Sequence, residues 1–266
     1  GADVRALVRN PAKADVPGGV TVVKGDLLDV DSLRNAFSGV STFFLLNAVV
    51  PDEFTQALIA LNLAREAGIE RIVYLSVIHS DIYVDVPHFA GKFAVERMIE
   101  QLGLNATILR PAYFIDNDVM ITDAVTGHGV YPMPIGSKGL AMVDARDIGE
   151  IAAIELLRRE QASAPLPLDR INLVGPDTLT SAEIAAIWTD VLGRPIAYAG
   201  DDTDRFEKTF REFMPAWMAF DMRVMTDRFL THGMLPEAGD IERLTTLLGR
   251  PLRSYRDFAS EIMASG

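Results

Sequence analysis

Two side chains about a third of the way along the chain have the types and the spacing to bind a ligand and move a proton. His88 and Lys92 belong to the segment His88-Phe89-Ala90-Gly91-Lys92, and in a helix Val95 and Ile99 share their face within about 40°. Because Val95 and Ile99 must face inward, we expect His88 and Lys92 to point along a sheet near its ligand-binding end. An unpaired buried ammonium is very costly, so Lys92 needs a polar partner. The alternative is a lysine that extends into solvent through the first turn of the helix.

A second set of polar side chains follows the first apolar segment. Val4–Val8 is predicted to be a strand, and Arg9, Asn10 and Lys13 come directly after it. In dinucleotide-binding folds an acidic residue at this place binds the ribose 2′-hydroxyl, or an arginine binds a 2′-phosphate. The bidentate guanidinium of Arg9 fits the phosphate, and Lys13 adds a point charge. The alternative is a solvated cationic turn.

The turn after the second predicted strand contains an acidic residue that can contact a base. In Val22-Val23-Lys24-Gly25-Asp26-Leu27, Asp26 can accept a hydrogen bond from the exocyclic amine of adenine while Leu27 packs on the ring. The simpler interpretation assigns the acidic residues of this turn to the next helix, with Asp29 or Asp31 as its N-cap. Both interpretations can hold, because Asp26 is not one of the candidate caps.

The third predicted strand ends in residues that suit a close approach of a ligand. Leu46, Asn47 and Ala48 follow Leu45, beside the point where the order of strands reverses. Ligands bind at this point in open α/β sheets. Small side chains here would let a cofactor approach the backbone, and a plain strand-to-helix turn is the alternative.

Short apolar segments alternate with longer amphipathic ones over the first 110 residues. The predicted strands are Val4–Val8, Val20–Val23, Thr42–Leu46, Arg71–Ser76 and Ala106–Leu109. The predicted helices are Asp31–Phe37, Asp52–Ala67, which Gly68 ends, and Pro87–Leu102. The alternation predicts an α/β fold with a parallel sheet and crossovers on both faces. The continuous hydrophobicity of all five strands predicts that both faces of the sheet are covered.

The chain beyond Pro111 is richer in turns. Glycine and proline are frequent over residues 127–139, which predicts a long connection at the edge of the sheet. We expect a strand at Leu140–Val143, a helix at Asp147–Arg158 and a strand at Arg170–Val174.

The last third of the chain is predicted to be mostly helical. Thr180 and Glu183 form a capping-box pattern, and the helix that they open is expected to end at Gly193. Pro215 is expected to interrupt the helices that follow Asp204. Methionine and aromatic residues are dense here, which favours core packing with one or two contacts to a substrate.

The composition limits the possible functions. The 266 residues, of which 49% are hydrophobic and 23% charged, suffice for one large domain or a domain with a smaller lobe. The net charge of −12 argues against direct nucleic-acid binding, and no apolar segment reaches the length of a membrane span, about 18 residues. The absence of cysteine excludes disulfides and makes a cytoplasmic protein the default expectation. The four histidines form no paired motif, so we expect no metal site.

Taken together, these segments resemble the NmrA-like family of atypical short-chain dehydrogenases/reductases over nearly the whole chain. The motifs that carry the resemblance are Arg9-Asn10-Pro11-Ala12-Lys13, Gly25-Asp26-Leu27, the His88…Lys92…Glu96 helix, Leu109-Arg110-Pro111 with Phe114-Ile115-Asp116-Asn117, Val143-Asp144-Ala145-Arg146-Asp147-Ile148-Gly149, and Leu179-Thr180…Leu192-Gly193-Arg194-Pro195.

The resemblance implies a Rossmann-like, doubly wound parallel sheet with a smaller, mostly helical C-terminal substrate lobe. The NAD(P)-binding domain would span residues 1–160 and the lobe residues 161–266, with parts of 111–140 contributing to the cleft. The implied cofactor is NADP, with NAD possible. The residues implied to bind it are Arg9, Asn10 and Lys13 around the 2′-phosphate, Asp26 and Leu27 at the adenine, Leu46, Asn47 and Ala48 at the adenosine side, Lys92 at the nicotinamide ribose, and Tyr113 and Phe114 beside the nicotinamide.

One departure from the related dehydrogenases concerns the acid. Those enzymes use a Tyr-x-x-x-Lys pair, and here His88 stands where the tyrosine would be, so that His88 and Lys92 are the candidate catalytic residues. The leading hypothesis is an NADPH-dependent oxidoreductase of a small apolar acceptor such as a quinone. The alternative is a non-catalytic NADP(H) sensor that contacts a regulatory protein, and a third is an isomerase or reductase of a larger aromatic compound.

A strand and a glycine-rich turn are expected before Val4. Val4–Val8 corresponds to the second strand of the family, and the first strand would lie between the second and the fourth in the order 3-2-1-4-5-6. Without it, two strand edges inside the core would lack backbone partners. We therefore expect the natural protein to have a further N-terminal segment. The sequence that begins at Gly1 is expected to express poorly or to bind NADP(H) weakly.

Overall fold

Strands and helices alternate along the first half of the protein, which confirms the predicted α/β class. The computed structural model describes residues 2–265. The strands are β1 (Val4–Val8), β2 (Val20–Lys24), β3 (Thr42–Leu45), β4 (Arg71–Leu75), β5 (Ala106–Pro111), β6 (Val130–Tyr131), β7 (Asp169–Leu173) and β8 (Ala197–Tyr198). The helices are α1 (Val30–Phe37), α2 (Glu53–Glu66), α3 (Pro87–Gln101), α4 (Thr122–His128), α5 (Ala145–Gln161), α6 (Ser181–Leu192), α7 (Thr203–Phe210), α8 (Ala216–His232), α9 (Asp240–Leu248) and α10 (Tyr255–Ser265). None of these helices is both long and apolar enough to cross a membrane.

The strands form three sheets in the described residues. β1 and β2 pair in parallel, with Val4 opposite Val20 and Val8 opposite Lys24. A four-stranded sheet has the order β3-β4-β5-β7, in which β3 and β4 are parallel. β6 and β8 form a third, two-stranded parallel sheet. Parallel neighbours require a crossover between them, and helices α1 and α2 lie in the connections that follow β2 and β3.

Burial differs between the strands. β4 and β5 are almost completely buried, as their continuous hydrophobicity predicts. For β1 this prediction is wrong, because Val4 is 48% exposed and no residue of the strand is buried. Among the described residues β1 pairs only with β2, so that one of its edges has no strand neighbour to cover it.

The chain divides into two compact units. The first consists of the residues up to 75 together with 91–108 and 152–170, and the second of 76–90, 109–151 and the residues from 171 onward. The domain boundary predicted at residue 160 is not decided by this division and stays a prediction.

The core of the first unit is built from the apolar faces of its helices. Ala57, Ala60 and Leu61 of α2 pack with Ile72 and Tyr74 of β4. Val95 and Ile99 of α3 are buried in the same cluster, which confirms the inward face predicted for that helix.

Local signals in the sequence set the ends of the first helices. Asp29 is the N-cap of α1, because its Oδ1 accepts from the backbone N–H groups of Asp31 and Ser32 at 3.1 Å each. Helix α2 ends at Glu66, and Gly68 two residues later takes the left-handed conformation (φ 74°) that favours glycine.

Helix ends in the second unit also follow their predicted signals. The hydroxyl of Thr180 accepts from the backbone N–H of Glu183, and the carboxylate of Glu183 accepts from the backbone N–H of Thr180, which is the predicted capping box. Gly193 follows α6 with a φ of 64°. Pro215 immediately precedes α8, so that α7 and α8 are separate helices.

The strand predicted at Leu140–Val143 is absent. Leu140 pairs with both Leu179 and Met234 through isolated bridges, and Val143 pairs with Phe114. The two ends of this extended segment thus pair with three different segments of the second unit. Backbone pairing with several short partners satisfies the N–H and C=O groups without forming a continuous ladder.

The methionine and aromatic residues of the last third differ in burial. Phe206, Met225 and Phe229 are buried, as the core-packing interpretation predicts. Phe213, Trp217 and Phe220 are exposed, so these three residues do not belong to the core of the second unit.

Gly175 provides a test of packing in the second unit. Its backbone N–H donates to Ala141, and a Cβ at this position would lie 1.9 Å from the carbonyl oxygen of Met142. Because a backbone oxygen cannot easily move away, we expect Gly175→Ala to lower the free energy of unfolding by about 2 kcal/mol or more. Urea denaturation measures this change.

The matched control is Gly149→Ala. Gly149 lies inside α5, and a Cβ there would meet nothing within 4 Å. The control should raise the free energy of unfolding by up to about 1 kcal/mol, since alanine favours the helix. An equal loss in both variants would contradict the close contact at Gly175.

Candidate functional site

A buried ion pair joins helices α2 and α3 in the first unit. Lys92 is 7% exposed, and its Nζ donates to Oε1 of Glu53 at 2.5 Å. Glu53 is the first residue of α2 and is itself buried. The ammonium therefore has the polar partner that its burial requires, and it does not extend into solvent.

A buried phenol and a second carboxylate accompany this ion pair. Tyr74 of β4 and Glu96 of α3 are both buried. Burial raises the pKa of Tyr74 well above its ordinary value, and the carboxylates of Glu53 and Glu96 raise it further. Tyr74 thus keeps its proton at neutral pH. An ammonium has three donors, and Glu53 takes one of those of Lys92.

Asn47 has a buried side-chain amide without a hydrogen-bond partner. The residue is 7% exposed, and neither its Oδ1 nor its Nδ2 is bonded to another described atom. Buried polar groups nearly always have a partner, and one left unsatisfied costs about 1–3 kcal/mol. The neighbouring Leu46 and Ala48 are exposed. The segment after β3 therefore combines an accessible backbone with an amide that could bond a further group.

The cations predicted at the end of β1 are exposed. Asn10 caps a short 3-10 helix at Pro11–Lys13, with its Oδ1 accepting from the backbone N–H of Ala12 at 3.2 Å. Within residues 2–265, the side chains of Arg9 and Lys13 make no hydrogen bond or ion pair. Both cations are free to bind an anion, and the solvated-turn alternative fits the same geometry.

The turn after β2 is tightly built. A Cβ on Gly25 would lie 2.5 Å from Cδ1 of Leu7, so this position favours glycine. Oδ1 of Asp26 accepts from the backbone N–H two residues later at 2.9 Å. Leu27 packs against the core of the first unit. Because Asp29 caps α1, Asp26 is not needed as a cap.

His88 and Asp221 form a pair in the second unit. Oδ1 of Asp221 lies 2.5 Å from Nδ1 of His88, and Oδ2 accepts from the backbone N–H of His88 at 3.1 Å. Asp221 lies on α8 and is 2% exposed. The ring of Phe89 packs edge-on against the imidazole, with 4.7 Å between ring centroids. In the described part of the chain, Nε2 of His88 has no hydrogen-bond partner.

A buried carboxylate accepts hydrogen bonds from three tyrosines in the second unit. Asp118 accepts from the hydroxyls of Tyr113 at 3.1 Å, Tyr131 at 3.2 Å and Tyr255 at 2.6 Å. The indole N–H of Trp188 donates to the hydroxyl of Tyr255 at 3.0 Å. We call these five residues the tyrosine cage. Burial raises the pKa of Asp118 to about 6, although the three hydroxyls act in the opposite direction.

The tyrosine cage limits the interactions that Tyr113 can make with a ligand. Its hydroxyl is bonded to Asp118, and its ring packs edge-on against Phe229 with 6.1 Å between centroids. Burial raises the pKa of Tyr113 well above its ordinary value, so its phenol keeps its proton at neutral pH. Phe114, the next residue, is only half-buried.

Nearly the whole sequence matches a family model. The family model of NmrA-like proteins matches residues 1–260. The chain belongs to the NmrA-like family. This finding confirms the resemblance drawn from the motifs and agrees with the parallel pairing of the sheets.

Characterised proteins and solved structures resemble this NmrA-like chain over nearly its full length. The NAD(P)H azoreductase of Xenophilus azovorans is 27% identical, covering 96% of this chain and 87% of the azoreductase. Quinone oxidoreductase 2 of Escherichia coli (strain K12) is 26% identical, covering 97% and 88%. The crystal structure of NADPH-dependent quinone oxidoreductase 2 from Escherichia coli in complex with NADPH has a TM-score of 0.86 at 24% identity, covering 98% of this chain and 91% of that one.

Three acidic residues of this NmrA-like chain escaped the sequence analysis. Glu53 and Asp221 are 39 and 133 residues away from their partners Lys92 and His88. Asp118 lies close in sequence to Tyr113 but far from Tyr255. One signal was available for Asp221, which is an acidic residue between Phe220 and Met222 in an otherwise apolar band.

The raised pKa of Asp118 predicts how stability depends on pH. A carboxyl group with a pKa of about 6 in the folded protein, against an ordinary 3.8, contributes its full stability below the unfolded value. That contribution is lost as the pH rises through the folded value. The loss amounts to about 2 kcal/mol between pH 4 and pH 7. Asp118→Asn should therefore show a smaller fall in the free energy of unfolding over this range than the wild type, measured by urea denaturation at four pH values.

A second variant tests the direction of the effect. Tyr131→Phe removes a hydroxyl that favours the charged form of Asp118, so its stability should fall more steeply with pH than that of the wild type. All other carboxylates are common to the three proteins, and their contributions cancel in the differences. Parallel curves for all three proteins would contradict the raised pKa.

Proposed function

We propose that this protein binds NADP(H) and is an NAD(P)H-dependent oxidoreductase of a small apolar acceptor such as a quinone or an azo compound. Membership of the NmrA-like family and the near-full-length similarity to an azoreductase and a quinone oxidoreductase support this proposal. The observation that carries it is the orphan amide of Asn47 at the carboxyl end of β3. Open α/β sheets bind their ligands at that end.

The adenosine half of the cofactor would lie against the first unit. Arg9 and Lys13 have no partner in the described structure, so both are available to a 2′-phosphate, with Asn10 in the turn between them. Asp26 has a second carboxylate oxygen for the adenine amine, with Leu27 beside it. Because the net charge is −12, an anionic nucleotide is attracted only where nearby cations such as Arg9 and Lys13 make the local potential positive.

The segment after β3 would hold the next part of the cofactor. The amide of Asn47 offers both a donor and an acceptor, and a bound nucleotide would satisfy atoms that are otherwise orphaned. Leu46 and Ala48 are exposed and leave the backbone open to close approach.

Lys92 would bind the nicotinamide ribose. Glu53 fixes the ammonium by taking one of its donors, which leaves two for ribose hydroxyls. Phe114 and Tyr113 would flank the nicotinamide. Since the Tyr113 hydroxyl is bonded to Asp118, only an apolar contact is available from that residue.

His88 would supply the proton of the reduction. When bound, the reduced nicotinamide supplies a hydride, and a hydride acceptor such as a quinone also needs one proton. Histidine is the residue most often used as a general acid, and Nε2 of His88 is free in the described residues. Solvent would return the proton to the ring after each turnover.

Cofactor preference tests the assignment of Arg9. A charge-assisted hydrogen bond contributes about 1.5–3 kcal/mol, so Arg9→Ala should weaken NADP(H) binding about tenfold or more and leave NAD(H) binding nearly unchanged. Calorimetric titration with both dinucleotides measures the difference. Arg65→Ala, which removes an exposed arginine from α2, is the control and should change neither affinity. Equal losses for NADP(H) and NAD(H) in Arg9→Ala would exclude the 2′-phosphate contact.

Turnover tests the proposed activity. We expect steady oxidation of NADPH, followed at 340 nm, with at least one member of a panel of quinones and azo dyes. His88→Gln should lower kcat about 100-fold with little change in the Kd for NADPH. Tight binding of NADPH without turnover across the panel would contradict the enzyme and favour a sensor that acts through a regulatory protein.

A further inference from the structure

We infer that Asp221 is a positioning residue that holds the imidazole of His88 with its Nδ1 bonded inward and its Nε2 presented to the acceptor. The identity of the acceptor rests on the proposed function. The contacts between Asp221 and His88 do not depend on it. Asp221 uses both carboxylate oxygens on a single residue, one on the ring and one on the backbone of His88.

Asp221 is buried, so other groups must compensate for the water that its charge has lost. A carboxylate that is 2% exposed has lost nearly all its water, and such a charge remains buried only when it is paired or well hydrogen-bonded. The backbone N–H of His88 belongs to the first turn of α3, where N–H groups lack partners within the helix and carry the positive end of its dipole. The start of α3 and the imidazole together provide this compensation.

The carboxylate determines which ring nitrogen can react. With Oδ1 of Asp221 at 2.5 Å, Nδ1 of His88 carries a proton and donates it to the carboxylate. The proton that leaves the ring must then come from Nε2, as in other sites where a carboxylate fixes the tautomer of a histidine. Phe89 restricts rotation of the ring from one side.

The atoms and electrons of the reduction balance in two stages, which are transfer to the acceptor and reprotonation of His88. When bound, NADPH would supply a hydride, with its two electrons, to the acceptor and would leave as NADP⁺. The Nε2–H bond of protonated His88 breaks, and its proton adds to the oxygen or nitrogen of the reduced acceptor. The Nδ1 proton of His88 stays on the ring and remains hydrogen-bonded to Asp221 throughout. A new proton reaches Nε2 from water.

A purely structural role for Asp221 makes different predictions. If the carboxylate served only to cap α3, its loss would reduce stability and leave the chemistry of the ring unaffected. Removal of Asp221 and of His88 would then act independently on kcat. The two roles are therefore separated by the tautomer of His88 and by the coupling between the two residues.

The first measurement determines the tautomer of His88 and does not depend on enzymatic activity. Nitrogen-15 NMR of the histidine rings, at a pH where His88 is neutral, should show Nδ1 protonated in the wild type. In Asp221→Asn we expect His88 to shift toward the Nε2-protonated form. Asp202→Asn removes the N-cap carboxylate of α7, contacts no histidine and should leave the His88 signals unchanged. A wild-type ring protonated at Nε2 and not at Nδ1 would overturn the inference, whether or not the protein is an oxidoreductase.

The second measurement is a double-mutant cycle on kcat with NADPH and the best acceptor of the panel. Asp221→Asn should lower kcat about 10- to 100-fold with the Kd for NADPH unchanged, and the double variant Asp221→Asn/His88→Gln should equal His88→Gln alone. Thermal unfolding of each variant verifies that it is folded. Additive losses would overturn the inference, because residues that act as a unit are not additive. If the wild type turns over no acceptor, the proposed function fails and the NMR result decides the role of Asp221.

Discussion

The cost of burying charge governs the arrangement around α3. This helix carries His88 in its first turn and Lys92 one turn later. Each has a buried carboxylate as its partner, Glu53 for Lys92 in the first unit and Asp221 for His88 in the second. Removing one member of such a pair leaves an uncompensated charge, which costs more than the pair contributes. The high cost of an unpaired buried charge thus holds the polar residues of α3 against their carboxylate partners. A side chain that must act on a ligand gains its orientation in this way.

Much of the architecture follows from patterns that are local in sequence. Alternation of apolar and amphipathic segments predicts the strands and helices of the first half, and the capping box at Thr180 and the glycine at Gly68 predict where helices begin and end. The inward face of α3 follows from helical spacing. Leu140–Val143 could not be predicted in the same way, because its pairing partners Leu179 and Met234 come from segments remote in sequence. The partners of Lys92 and His88 escaped prediction for the same reason.

Buried carboxylates in the second unit are stabilised by two different means. Asp147 accepts from the guanidinium groups of Arg250 and Arg253, so its charge is paired. Asp118 instead accepts from the neutral hydroxyls of the tyrosine cage, and its pKa rises to about 6. Neutral donors solvate a carboxylate less well than cations do, which is why burial determines the direction of the shift. The cage thus packs polar atoms from four segments without an ion pair and leaves Tyr113 with only its ring for contact.

The ion pair of Lys92 bears on why a histidine can replace the tyrosine of the related dehydrogenases. A phenol has an ordinary pKa of about 10, so a tyrosine acid benefits from a nearby unpaired cation that favours its anion. In this chain the charge of Lys92 is neutralised by Glu53, and the buried Tyr74 close to Glu53 shows a pKa that is raised, not lowered. An imidazole needs no such help, since it exchanges protons near neutral pH without a neighbouring cation. Under the proposed function His88 would be the acid and Lys92 would bind a ribose, while the carboxylate of Asp221 on α8 would hold the imidazole in place.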